Sequence, residues 1–78
     1  MMARMTHDRI HRDPKVMVGK PVIKGTRITV ELLVRECASG RSFAEIIDDY
    51  PHISEADIRA ALAYAADYLS REGLVVAE

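Results

Sequence analysis

At Thr29 the apolar pattern of this chain changes period, and that change constrains the fold more than any other feature. Beyond it, Val30, Leu33, Val34 and Cys37 recur at i, i+3, i+4 and i+7, the single stripe of an amphipathic helix. Thr29 is placed to cap that helix, Glu31 lies near the positive end of its dipole, and Gly40 ends it. Ser42-Phe43-Ala44-Glu45 is an S-x-x-E capping box and opens a second helix, with Phe43 or Ala44, Ile46, Ile47 and Tyr50 inward and Pro51 as the stop. Ser54-Glu55-Ala56-Asp57 is a variant box with aspartate in place of glutamate. A third helix follows to Gly73, burying Ile58, Ala61, Leu62, Ala65 and Leu69.

Ahead of Thr29 no helical period exists. Arg9-Ile10-His11-Arg12 reads as an edge strand and Asp13-Pro14-Lys15 as a turn. Pro21-Val22-Ile23 is a β-branched run bounded by Gly19 and Gly25. The expected organisation is a frayed start over 1–8 and one domain over 9–78. Within that domain a β-arm or hairpin covers 9–28, a three-helix bundle 29–73 and a tail 74–78. Strands this short need helices or another subunit to pack on. The fold class is mainly α, a helix-turn-helix plan of the homeodomain-like or winged-helix-like kind with a short N-terminal β-arm. Residues 42–50 would be the crossing helix and 54–72 the recognition helix.

With 78 residues the chain holds one small domain, and a chain this size buries only roughly 60% of its unfolded surface. Its lone cysteine, Cys37, staples nothing, so oligomerisation or a bound partner is expected to supplement the core. The opening MMARMTHDRIHR lacks the apolar run of a signal peptide, and no stretch approaches the about 18 apolar residues of a membrane span. A cytoplasmic location is expected.

The formal charge of −1 hides a split. Residues 1–27 carry Arg4, Arg9, Arg12, Lys15, Lys20, Lys24 and Arg27 against two aspartates, a net +5, whereas residues 28–78 are net −6. One reading is a face for a polyanion and another for a basic partner. The other is attraction of the two halves within the fold.

GKPVIKGTRI, residues 19–28, carries much of the positive charge. It fails as a Walker loop, because Lys24 precedes Gly25 and Pro21 removes a backbone donor. Lys20, Lys24, Thr26 and Arg27 nevertheless suit a DNA phosphate, and Ser54 and Arg59 lie where a recognition helix begins. Arg27 could equally pair with a carboxylate of the acidic half. Glu55 and Asp57 at the same helix start weigh against direct base reading, which leaves the affinity to the basic arm. Tyr64 and Tyr68, four apart, and the tail Leu74-Val75 form a candidate partner or dimer surface. Asp48, Asp49 and Asp57 read as a solvated acidic face, and His7 and His11 as surface histidines without a third ligand. No nucleophile–base pair stands out, so the expectation is a non-enzyme without metal, cofactor or small-molecule substrate.

GKPVIKGTRITV, then ASGRSFAEIIDDYP, then ADIRAALAYA, resemble the family known as domain of unknown function 433, from about Arg9 to Tyr68. The resemblance implies a helix-turn-helix fold and, since many members look like antitoxins, two jobs: restraining a PIN-like nuclease toxin and binding the operon's own promoter as a homodimer. It supplies no catalytic residues. The rival expectations are a protein–protein adaptor without DNA and, with only Phe43 and three tyrosines to stack bases, an RNA-binding module.

Overall fold

The computed structural model describes residues 7–71. Two strands, β1 (Ile10–His11) and β2 (Val22–Ile23), pair antiparallel with Ile10 opposite Ile23 and His11 opposite Val22. A single 3-10 turn, Met17–Gly19, lies in the connection between them. On its other side β2 meets the chain again: Ile23 N–H donates to Ile28 O, Val30 N–H donates to Pro21 O, and Val22 bridges Thr29. The residues of β2 are therefore held from both sides. Their side chains, 1% and 3% exposed, belong to the helical core. The β-arm is thus one layer of the domain rather than an appendage.

Three helices follow among the described residues, α1 (Val30–Ala38), α2 (Phe43–Asp49) and α3 (Glu55–Arg71). Each begins where the sequence places a cap. Thr29 Oγ1 accepts from Leu32 N–H at 3.0 Å, and Ser42 and Glu45 form the reciprocal capping box. Ser54 and Asp57 repeat the box, with Asp57 Oδ2 accepting from Ser54 N–H at 2.9 Å. α1 ends in a Schellman turn. Gly40 takes φ +93° while Gly40 N–H donates to Cys37 O and Arg41 N–H to Glu36 O, satisfying two terminal carbonyls.

α1 packs chiefly on α3. Leu33, Ile46 and Ile58 are fully buried where the helices meet, joined by Ile23, Val30, Ile53 and Ala61, while Cys37 is half-buried at the edge. Leu69, expected inward, is 50% exposed. The cause is length: at 1.5 Å per residue the 17 residues of α3 run about 25 Å against about 14 Å for the nine of α1, so the last turns of α3 overhang the core. His7 also departs from expectation. Instead of standing at the surface it packs edge-on to Tyr64, ring centroids 5.1 Å apart, and its Nε2 lies 2.9 Å from Asp67 Oδ2. No helix among the described residues is long and apolar enough to cross a membrane.

Candidate functional site

The turn after β2 is built by its own residues. Ile23 O accepts from Thr26 N–H at 2.9 Å and from Thr26 Oγ1 at 2.8 Å, and the same hydroxyl accepts from Ile28 N–H at 2.9 Å. Gly25 fills the position that requires positive φ, at +82°. Thr26, singled out as a phosphate ligand, thus spends its hydroxyl on holding the turn. Lys24 and Arg27 stand on either side of the Gly25-Thr26 pair, exposed and with no ion-pair partner among the described residues. With His11 and Val16 they border a shallow pocket of about 430 Å³.

The turn does not stand alone. Lys24 N–H donates to Arg9 O at 2.7 Å, and the Arg9 guanidinium crosses to the start of α3, where Nη1 lies 3.0 Å from Asp57 Oδ1. Arg9 shares a second pocket, of about 310 Å³, with Arg59. Arg59 itself is held against Glu55 at 2.6 Å and over the Phe43 ring at 5.3 Å. Two groups of sequence-selected residues, Lys24 with Arg27 and Ser54 with Arg59, are therefore joined through Arg9, which the sequence reading did not single out. Its signal was weak: a cation at a strand start says nothing of a carboxylate 48 positions away. Ser54, like Thr26, is structurally occupied, its Oγ accepting from Asp57 N–H at 3.3 Å.

The two acids at the start of α3 are each met by an arginine, Glu55 by Arg59 and Asp57 by Arg9. They do not stand as bare negative charge at that end of the helix. Of the cations expected to stay outward and free, Arg9 is tied to Asp57 and Arg12 donates through Nε to Gly19 O at 3.1 Å. Lys20 reaches Glu31 at 3.4 Å. Lys20 is thus separated from the Lys24–Arg27 turn and serves the acidic start of α1 instead. Glu31 also accepts from Arg35. That hydrogen bond, with Lys20 adding its charge, holds the Glu31 carboxyl below its ordinary 4.5.

A second feature is apolar. Pro21, Val30, Val34, Tyr64, Tyr68 and Leu69 line a groove of about 500 Å³ between the hairpin, α1 and the overhang of α3. Tyr64 and Tyr68 stack there with centroids 6.3 Å apart. Leu74 and Val75, the other members of the expected partner surface, lie outside the described residues. At the far end Arg41 clamps Asp49 at 2.7 Å and Glu36 at 3.0 Å, and the Asp49 hydrogen bond raises the Arg41 pKa further. Asp48 beside them stays exposed.

Chemically the cationic edge can hold anions through exposed lysine and arginine donors, and the groove can bury apolar surface. Three comparisons bear on what such a molecule is. A crystal structure of a DUF433 member protein from Anabaena variabilis superposes with a TM-score of 0.71 at 31% identity, covering 82% of this chain. The matched part spans 66% of that protein's length. An uncharacterized protein of Archaeoglobus fulgidus is 68% identical over 28 residues, 36% of this chain and 78% of that one. Residues 10–65, hairpin and all three helix starts included, match the family described as "Protein of unknown function (DUF433)". With well over half its length inside that match, this chain belongs to the DUF433 family.

Proposed function

We propose that this protein is a non-enzymatic DNA-binding antitoxin: it binds its own promoter through the hairpin edge and the start of α3, and restrains a PIN-like nuclease toxin. The observation that carries the DNA half is the join at Arg9. It puts the exposed Lys24 and Arg27 on the same edge as the N-terminal turn of α3, the helix that a helix-turn-helix protein sets into the major groove. The arm grips phosphate and supplies most of the affinity, and α3 supplies shape. For the toxin half the support is electrostatic. Residues 28–78 are net −6, and an enzyme that handles RNA presents a basic surface to such a partner.

Titrating the protein against the DNA upstream of its gene across a salt series tests the first half. Lys24→Ala with Arg27→Ala removes two phosphate contacts, so log K should fall less steeply with log salt, by about 1.8, and affinity should drop evenly across sequences. Wild-type affinity and slope in the double variant would sink the phosphate clamp. Co-purification with the product of the adjacent gene tests the second half. A second reading, a protein–protein adaptor without DNA, is favoured by the groove of Tyr64, Tyr68 and Leu69, whose apolar lining suits a homodimer contact. Sedimentation of a Tyr68→Asp variant separates the two: loss of self-association with DNA affinity absent throughout selects the adaptor.

A further inference from the structure

Met17, Val18 and Gly19 run consecutively through left-handed backbone, with φ of 48°, 56° and 82°. Glycine tolerates this, but a β-branched residue there is a true outlier, because its two γ-carbons crowd the following carbonyl. Such strain persists only where surrounding structure enforces it. Here it is enforced. Asp13 Oδ1 accepts from Lys15 N–H at 2.9 Å and Val16 N–H donates to Asp13 O at 2.8 Å. Gly19 N–H then donates to Val16 O, Lys20 N–H to Met17 O, and Arg12 Nε to Gly19 O.

Nothing inside the described chain repays the strain, for Val18 is 89% exposed. The loop holds an apolar side chain rigidly in solvent, in a backbone state it disfavours. Its neighbours in the loop are Lys15, exposed and without an ion-pair partner among the described residues, Arg12, bound through Nε to Gly19 O, and Lys20, which reaches Glu31, while Asp13 is turned to cap its own loop. An apolar knob with the uncommitted Lys15 beside it fits a surface that sets negative charge next to apolar atoms. A nucleic-acid groove meets that description through thymine methyls and sugar carbons set between phosphates.

We propose that Val18 is a DNA-contacting residue, held out by the strained hairpin loop as a preformed wedge against groove carbons while Lys15 beside it meets a phosphate. This rests on the DNA-binding reading and adds to it a contact outside both the Lys24–Arg27 turn and α3. The test compares Val18→Asn and Val18→Ile with wild type on a fluorescein-labelled duplex of the DNA upstream of the gene. Asparagine accepts left-handed backbone, so its variant should melt no lower than wild type yet bind about 10-fold more weakly, as expected for one apolar side chain left uncovered. Its salt slope should be unchanged, since no phosphate contact is lost, and Val18→Ile should bind like wild type. Unchanged affinity in Val18→Asn overturns the proposal and leaves the DNA reading standing. A reduced salt slope or melting point with the loss also overturns it, by making the effect electrostatic or structural. Loss of self-association in Val18→Asn with DNA affinity intact makes the tip a protein contact and overturns it as well. Absence of wild-type binding at every salt concentration overturns both ideas together.

Discussion

Replacing Asp57 by alanine tests how hairpin and helix are held together. The Asp57 side chain is 14% exposed and serves two partners: Oδ2 accepts from Ser54 N–H at 2.9 Å, and Oδ1 lies 3.0 Å from Arg9 Nη1. Losing the reciprocal N3 half of the capping box, the hydrogen bond from Ser54 N–H, costs about 1 kcal/mol. Removing a negative charge from the first turn of a 17-residue helix costs about 0.5 kcal/mol. Arg9 is 54% exposed, so solvent screens its pairing and its share is held to about 0.5 kcal/mol. The expected destabilisation is about 2 kcal/mol, or a melting point lower by about 10 °C for a domain of this size. Asp57→Asn keeps the acceptor for Ser54 and drops only the charge, so about half that loss is expected. Thermal and urea unfolding of Asp57→Ala, Arg9→Ala and the double variant complete a cycle whose coupling should be about 0.5 kcal/mol. An Asp57→Ala protein within about 0.5 kcal/mol of wild type refutes the reasoning, because neither cap nor tether would then carry load. A destabilised Asp57→Ala with zero coupling to Arg9 refutes the tether alone.

Two further perturbations address neighbouring parts of the structure. At Gly25 a Cβ would meet nothing within 4 Å, so Gly25→Ala isolates the backbone cost of φ +82°; after the entropy gained by removing glycine, about 1 kcal/mol of lost stability is expected in a urea melt. Glu31 has its folded pKa below the unfolded value, so its contribution is present above 4.5 and lost as pH falls through the lower folded value. Wild type should therefore lose stability on acidification from pH 5 toward pH 3 more steeply than Glu31→Gln, by a small margin because the pair is exposed; parallel curves would show that the Lys20 and Arg35 contacts do not matter in solution.

Local signals survived folding almost intact. Each cap box names its own partners within three residues, and short-range hydrogen bonds form in the same way whatever lies beyond them, so Thr29, Ser42 and Ser54 could be read directly. The same holds for the turn at Gly25 and the stop at Gly40. What failed was long-range. Leu69 continues the apolar period of α3, but period cannot show that α1 is too short to cover it. His7 carries no local cue for its place beside Tyr64 and Asp67, 57 and 60 positions on. Thr26 looked like a free hydroxyl because sequence reveals residue type and not which hydrogen bonds are already made.

The amino-acid order alone determined three capped helices behind a short two-stranded hairpin, and a charge divided between the two. Those are properties of near neighbours and of composition. Tertiary packing decided which charges remain available. By seating Val22 and Ile23 in the helical core it brought Arg9 to Asp57 and Lys20 to Glu31, and left Lys24, Arg27 and the strained Val18 facing outward. A carboxylate neutralises whichever cation the fold delivers to within a few ångströms, and that distance is set by the packed core rather than by position along the chain.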